Sequence, residues 1–444
     1  MTATFTATEE LVVPSTEALV ELVGAYVERQ HWWDRGPDGT PEPADRGSIT
    51  VRCAHVVVPG RPGVVSVEAD VGDRVVHALL GLRAPGEEAA FLPEVERTPL
   101  GILDGPEGLA VAYDALADAE LATALLASVA GEVAEPERVR RSWLTDETVS
   151  LTFDDRLSVT VFQVLPGPEE PHRGVEMFLA LEEVGFNHLS APLALWRRGG
   201  YDLGVVMEYE SGAVGGWAVA LTSLRDLYAS GGAPERAGAD FGQDARRLGE
   251  MTARMHLGLD QAYGRLAGDV SRWVVEVEDA VRVVDPDLLA SPEVQDVLEQ
   301  LRTTSLRCVA IRTHGDFHLG RVVRTDIGWF VLDFSPGGTP MFSAATMESG
   351  GRTFRSPLAD VADMLWSFGH VADVAAGERD PSGRLGLSEL AHAWEVRNRR
   401  AFLADYLATP GIGGLVPPSR DVVRRMVAAF ELERSASKLA LRLP

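Results

Sequence analysis

Apolar positions at helical spacing begin the ordered pattern of this chain. Leu19, Leu22, Val23 and Tyr26 share one face of a helix predicted over residues 16–30, with Ser15 placed to cap its start. Residues 49–116 then change period. Short runs of β-branched residues at 49–58, 64–69 and 75–82, bounded by Gly, Pro and Asp, predict strands. Apolar and polar residues alternate over 157–165, which predicts another strand, and residues 204–207 read as a short buried one. Beyond residue 240 the helical period returns. Leu248, Met251, Thr252, Met255 and Leu259 fall on one helix face; Leu358, Val361, Ala362, Leu365 and Trp366 fall on another, behind Ser356-Pro357 as N-cap and first helical residue. Gly/Pro-rich breaks lie at 36–47, 59–63, 212–216, 231–238 and 411–418, and no tandem repeat is evident. A β-rich N-terminal part and a helical C-terminal part predict a two-lobed α+β chain with its cleft between the lobes.

Composition narrows the function classes. At about 100–200 residues per domain, 444 residues predict two or three packed units. A formal charge of −25, from 41 Lys+Arg against 66 Asp+Glu, argues against nucleic acid or an anionic membrane as partner, because both require clustered cations. Two distant cysteines, Cys53 and Cys308, form no disulfide framework and no four-thiolate zinc site, which fits a reducing cytoplasm. No basic n-region with an apolar core follows Met1, and no apolar run approaches the roughly 20 residues that span a bilayer. Lys438 is the single lysine; the other 40 basic residues are arginines. Any mechanism that needs a mid-chain lysine is excluded.

The segment richest in chemistry is Thr313-His314-Gly315-Asp316-Phe317-His318-Leu319-Gly320-Arg321, followed by the apolar run Trp329-Phe330-Val331-Leu332 and then Asp333-Phe334. Asp316 sits in a loop behind a glycine, and Asp333 ends a strand 17 positions later. Such a pair suits phosphoryl transfer, with one carboxylate taking the hydroxyl proton and another holding a metal on the phosphates. It equally suits a turn residue and a strand-end cap. His314 and His318 are four apart, but Gly315 stands where a helical metalloprotease motif needs Glu, so the histidines read as loop scaffold. His256, beside a helical core face, reads as a packed histidine.

The His-Gly-Asp-x-His loop and the strand ending in Asp-Phe resemble the aminoglycoside phosphotransferase-like kinase superfamily, and more closely its actinobacterial maltokinases and glucosamine kinases. Ser356-Pro357-Leu358, Asp360-Val361-Ala362, Met364-Leu365 and Ser367-Phe368 resemble the helix that follows, and Trp394, Arg397-Asn398-Arg399, Phe402 and Tyr406 a later one. Gln30-His31-Trp32-Trp33 resembles the end of the first cap helix, and Tyr113-Asp114-Ala115-Leu116 with Glu120-Leu121-Ala122 the region after the cap. The resemblance implies a bilobal protein-kinase-like fold with an N-terminal cap subdomain over residues 1–100. An intermediate region and β-rich N-lobe over 101–207 follow, then a helical C-lobe over 208–444 with the catalytic loop and sugar site. It implies ATP and Mg2+ as cofactors and a small-molecule sugar as partner. Asp316 is then the catalytic base, with His318 beside it, and Asp333 the metal ligand. Glu208 and Tyr209 lie in the adenine-binding linker, Glu176 is the helix glutamate that pairs with the ATP lysine, and Trp394 and Asn398 face the sugar.

Three departures surround the phosphate site. The expected lysine of the third strand aligns with Thr160, which brings a hydroxyl and no charge, and Gln163 stands where relatives often carry a basic residue. Arg321 replaces an Asn or Gln that would offer magnesium an amide oxygen; a guanidinium has no acceptor, so Arg321 is expected to clamp a phosphate. Ser335-Pro336-Gly337-Gly338-Thr339-Pro340 replaces an acidic run, and the chain ends without the basic, aromatic tail of maltokinases. These features favour a kinase for an amino sugar such as glucosamine over one for maltose. A pseudokinase-type sugar- or nucleotide-binding protein, and nucleotidyl transfer on the same scaffold, remain open.

Overall fold

In a computed structural model, the chain is described over residues 13–440, except 31, 36–38, 94–98, 106–107, 132–135, 146, 169, 191, 304–307, 335–346, 350–351 and 381–385. It divides into two compact units. Unit one takes in the chain up to Val175 and Ser190–Ser211; unit two comprises Glu176–Leu189 and Gly212–Pro444.

Unit one opens on α1 (Thr16–Val27), whose first turn is capped by Ser15: its Oγ accepts from Ala18 N–H at 3.4 Å. The strands β1 (Thr50–Val58), β2 (Gly63–Val71), β3 (Arg74–Arg83), β4 (Gly101–Gly105) and β5 (Gly108–Asp114) form an antiparallel sheet in the order β1-β2-β3-β5-β4. Strand periodicity puts Val65, Val67 and Ala69 of β2 on one face, where they pack with Leu22, Val23 and Tyr26 of α1. Next come α2 (Ala119–Ala130), β6 (Val139–Thr145), β7 (Thr148–Phe153), β8 (Leu157–Phe162) and β9 (Val164–Leu165). After α3 (Arg173–Glu183), in which the unit boundary falls, come β10 (Pro192–Arg198) and β11 (Tyr201–Glu208). A second sheet runs β10-β11-β8-β7-β6, and Leu121 and Leu125 of α2 pack against its Val149, Leu151, Val161 and Val206.

The strand predicted over 157–165 is two strands in two sheets: β8 pairs with β7 and β11, whereas β9 pairs with β3. Gln163 makes the switch. Its N–H donates to Glu147 O in the region of the second sheet, and its C=O accepts from His77 N–H of the first, both at 2.9 Å. Its fully buried side chain donates to Tyr26 Oη (2.7 Å) and Gln30 Oε1 (2.9 Å) and accepts from Trp32 Nε1 (3.2 Å). Every polar atom of the amide is satisfied, as burial demands.

Unit two is mainly helical: α4 (Gly216–Ser230), α5 (Gly242–Tyr263), α6 (Val270–Val284), α7 (Pro292–Arg302), α8 (Leu358–Arg379), α9 (Leu387–Ala408) and α10 (Arg420–Ala440). Two small sheets complete it. One has the order β12 (Val214–Gly215), β15 (Val322–Arg324), β16 (Trp329–Val331); the other has β13 (Arg265–Gly268), β14 (Cys308–Arg312), β18 (Arg352–Arg355), β17 (Met347–Ser349). Helices α5 and α9 approach closely at Gly249, where a Cβ would stand 2.2 Å from the Phe402 carbonyl oxygen. At the start of α8, Pro357 rather than Ser356 holds the N-cap position, and Ser356 Oγ accepts from Leu358 N–H at 3.3 Å. Among the described residues, no helix is long and apolar enough to cross a membrane, and Cys53 and Cys308 are both free.

Candidate active site

The site in unit two is built on the loop between β14 and β15. Gly315 has φ 84°, a left-handed conformation open to glycine at little cost, and it turns the chain so that three groups converge on Asp360 of α8. Asp360 Oδ2 accepts from His314 N–H and Oδ1 from Gly315 N–H, each at 2.8 Å, and His256 Nε2 lies 3.1 Å from Oδ2. His256 Nδ1 in turn meets Tyr406 Oη of α9 at 3.0 Å. Burial alone would raise the Asp360 carboxyl. The His256 hydrogen bond and charge and the Gly315 N–H outweigh it and hold the group below the usual carboxylate range. His314 packs between Phe317 and Phe334, with ring centroids 5.2 and 5.0 Å away. Further on, Leu319 N–H donates to Ser367 Oγ of α8 at 3.2 Å. The two histidines and His256 thus serve as buried scaffold and half-buried loop partner, not as a metal cluster among the described residues.

Asp316, 2% exposed, meets two guanidiniums: Arg321 Nη2 donates to its Oδ2 at 2.7 Å, and Arg434 Nη2 of α10 donates to its Oδ1 at 2.6 Å. His318 Nε2 is 3.5 Å from Oδ2. Burial pushes the Asp316 carboxyl up, but the His318 hydrogen bond and the charges of Arg434 and Arg321 dominate and hold it far below the carboxylate range. Burial likewise lowers His318, against the pull of Asp316. The other terminal nitrogen of Arg321, Nη1, donates to Asp333 Oδ2 at 3.0 Å. One buried arginine therefore spans both aspartates that the sequence paired. Arg434 also lies 3.7 Å from Asp363 Oδ1 and over the Trp366 ring, 5.5 Å from its centroid. Burial pushes Asp363 up to about 7, with Arg434 opposing and Asp316 and Asp360 reinforcing.

A magnesium ion held by Asp333 was implied by the resemblance. Among the described residues, the side chains around Asp333 do not fit one. The nearest Arg321 nitrogen is 3.0 Å from an Asp333 oxygen, and position 321 presents donors where a hard cation needs an oxygen. Arg321, expected to clamp a phosphate, bonds both carboxylates.

The remaining predicted residues are placed as follows. Glu176 of α3 meets a cation, Arg312 of β14, at 2.7 Å; that guanidinium also lies 4.9 Å from the Tyr263 ring centroid. Thr160, in β8 of unit one, is buried with Oγ1 3.5 Å from Ser150 Oγ. Glu208 and Tyr209 line a cavity of about 540 Å³ within unit one, beside Asp155 and Arg156, and Tyr209 N–H is already donated to Arg156 O at 2.8 Å. Trp394 and Asn398, expected at the sugar, lie in the helical core. Trp394 is 1% exposed with Nε1 donating to Ser223 Oγ (2.9 Å), and Asn398 is fully buried with Nδ2 donating to Trp394 O (2.8 Å). Residues 335–340 lie outside the described residues. Sequence reasoning assigned no role to Asp360, Asp363 or Arg434. Asp360 was visible in the motif that carried the resemblance; Arg434 reaches Asp316 from 118 positions away, and nothing local announces it.

No protein-family model matches the chain. In sequence it is similar to a glucosamine kinase of Streptacidiphilus jiangxiensis, 31% identical over 306 residues that cover 62% of this chain and 64% of that protein. A glucosamine kinase of Mycolicibacterium smegmatis (strain ATCC 700084 / mc(2)155) is 29% identical over 226 residues, 47% of this chain and 53% of that protein. The matched segments thus span just over half to just under two thirds of these relatives. In structure, it is similar to a glucosamine kinase in complex with glucosamine, ADP and inorganic phosphate, with a TM-score of 0.60, 20% identity, and coverage of 97% of this chain and 95% of that one. A glucosamine kinase in crystal form A gives a TM-score of 0.64 at 20% identity, covering 97% of this chain and 93% of that one. The chain is similar in sequence to glucosamine kinases and has their fold.

Proposed function

We propose that the chain is an amino-sugar kinase that transfers the γ-phosphoryl group of ATP to a glucosamine-like sugar. The observation that carries this reading is the Asp316 carboxylate, held ionised by His318, Arg434 and Arg321 in a loop that Asp360 fixes from α8. Support for a cationic sugar comes from a cavity of about 770 Å³ in unit two, lined by Trp366 and by the carboxylates Glu293, Asp373, Glu395 and Glu431 against Arg399. An acidic wall attracts an ammonium group. Trp366 of its wall also lies under the Arg434 guanidinium that bonds Asp316.

Asp316 would orient the sugar hydroxyl and receive its proton. A strongly depressed carboxylate is a weak base, but in a loose phosphoryl-transfer transition state the hydroxyl proton leaves late and positioning dominates. Arg321 and Arg434 bring two permanent charges to the place where negative charge is transferred, which the uncharged hydroxyl of Thr160 does not supply.

The spanning arginine also supports a second reading, a binding protein that senses an amino sugar or nucleotide with little transfer. One experiment separates the two. Purified protein is incubated with ATP and a panel of glucosamine, glucose and maltose, and ADP release is followed, with glucosamine binding measured by calorimetry in parallel. The kinase reading expects ADP with glucosamine, reduced at least about a hundredfold in Asp316→Asn. Glucosamine binding without ADP establishes the second reading; neither binding nor ADP sinks both.

A further inference from the structure

The only group of Cys, His and acidic side chains among the described residues whose candidate ligand atoms all lie within 4.8 Å of one another is far from that loop in sequence: Cys53, His55 and Glu68 of unit one. We propose that these three side chains bind a divalent transition metal, zinc in the first instance, and so clip β1 to β2. The inference is independent of the kinase reading.

The sheet register builds the group. Cys53 and His55 are two apart on β1 and project from the same face, and Glu68 of β2 is the direct cross-strand partner of Cys53. Thiolate, imidazole and carboxylate are the donors that zinc accepts, at about 2.3, 2.0 and 2.0–2.2 Å, which puts tetrahedral ligand atoms about 3.3–3.6 Å apart. Side-chain rotations of about 1 Å close the observed spacing to that value. Two anionic donors and one neutral donor balance a divalent charge, and a thiolate with an imidazole selects a borderline-soft ion over magnesium or calcium.

A second observation points to a ligand. His55 is only 8% exposed, yet its Nδ1 is buried with no hydrogen-bond partner, a state that folded proteins seldom leave uncompensated. Glu68, 3% exposed, is meanwhile oriented from behind: Ser66 Oγ lies 3.0 Å from its Oε1 and 2.9 Å from His77 Nε2, and His77 Nδ1 lies 3.0 Å from Phe162 O. Carboxylate ligands of metals are commonly held by such a hydrogen-bond chain. Cys53 is exposed and gives the ion a way in. Arg198, at the exposed end of β10, is the cation that acts on all three groups, and a metal would compete with it.

The test uses the full chain, stripped of metal by a chelator. Zinc chloride is titrated calorimetrically, and cobalt(II) is titrated with the absorption spectrum followed. One equivalent of each is expected, cobalt giving a thiolate-to-metal charge-transfer band. Cys53→Ser should abolish the band, and both it and His55→Gln should weaken zinc at least tenfold. Arg198→Ala should tighten it, and Cys308→Ser, a control at the other cysteine, should change nothing. Circular dichroism of each variant checks that it folds. Absence of stoichiometric binding, or a band and affinity unchanged in Cys53→Ser and His55→Gln, overturns the site.

Discussion

Arg321 decides the character of the loop that carries Asp316. A guanidinium is the one side chain that can donate to two carboxylates at once and never lose its charge, and here it does both while 5% exposed. Its removal leaves Asp316 and Asp333 facing each other without a shared cation. Arg321→Gln should therefore lower the unfolding free energy by about 3–5 kcal/mol in metal-free buffer, the cost of breaking a buried ion pair. The same change opens a position with an amide oxygen beside two carboxylates, which is what a hard cation needs. Magnesium should then raise the melting temperature of Arg321→Gln by several degrees and that of the parent chain by little. Equal responses to magnesium in thermal melts would show that the arginine does not stand in the ion's place. The residue identity was plain in the sequence; that it bonds two aspartates rather than awaiting a phosphate was not, because a side chain's partners are set by three separate backbone segments.

At the scale of elements, helix packing outweighs helix propensity. Gly249 lies inside α5, where alanine is favoured by about 1 kcal/mol on propensity. A Cβ at that position would collide with the Phe402 carbonyl oxygen of α9 at 2.2 Å, and a backbone atom cannot rotate away. Gly249→Ala should cost about 1–3 kcal/mol net, read as a lower urea midpoint at unchanged slope. A midpoint at or above the parent's would mean that α9 shifts freely. That shift would be felt at the loop, because Tyr406 of α9 orients His256, which bonds Asp360. Helical periodicity made α5, α8 and α9 legible from sequence. The alternation over 157–165 was legible too, but a period of two continues unbroken through Gln163 whether the chain stays in one sheet or changes to another. The break shows only in the hydrogen bonds.

For the whole molecule, pH couples the buried carboxylates to a chain already carrying −25. Asp316 and Asp360 titrate below the usual range in the fold, so their stabilisation is complete above the ordinary carboxylate pKa and is lost as pH falls through their folded values. Asp363 is opposite. With its folded value raised to about 7 from 3.8, the folded chain holds a proton that the unfolded chain has released, so stability declines as pH rises between these values and levels above them. Self-repulsion of the net negative charge grows in the same direction. Stability should peak near about pH 5 and fall toward about pH 8, and Asp363→Asn should flatten that decline. Urea midpoints at the two pH values measure it; an identical slope in the variant would remove Asp363 from the account.

The sequence by itself determined the element types, the motif loop from His314 to Arg321, a resemblance to a kinase family, and the absence of any mid-chain lysine. These depend on residue identity and on spacing along a few turns of chain, both of which are written locally. Only the tertiary structure decided that Asp360 holds the loop, that Arg434 comes from α10 to Asp316, and that one arginine joins both aspartates. It also decided that Trp394 and Asn398 are core. The Asp360 and Arg434 contacts join segments 45 to 118 positions apart, and the Arg321 bridge, though only 5 and 12 positions from its partners, depends on how loop and strand are folded together. The charge of an arginine travels with the sequence, but the group it neutralises is chosen by packing.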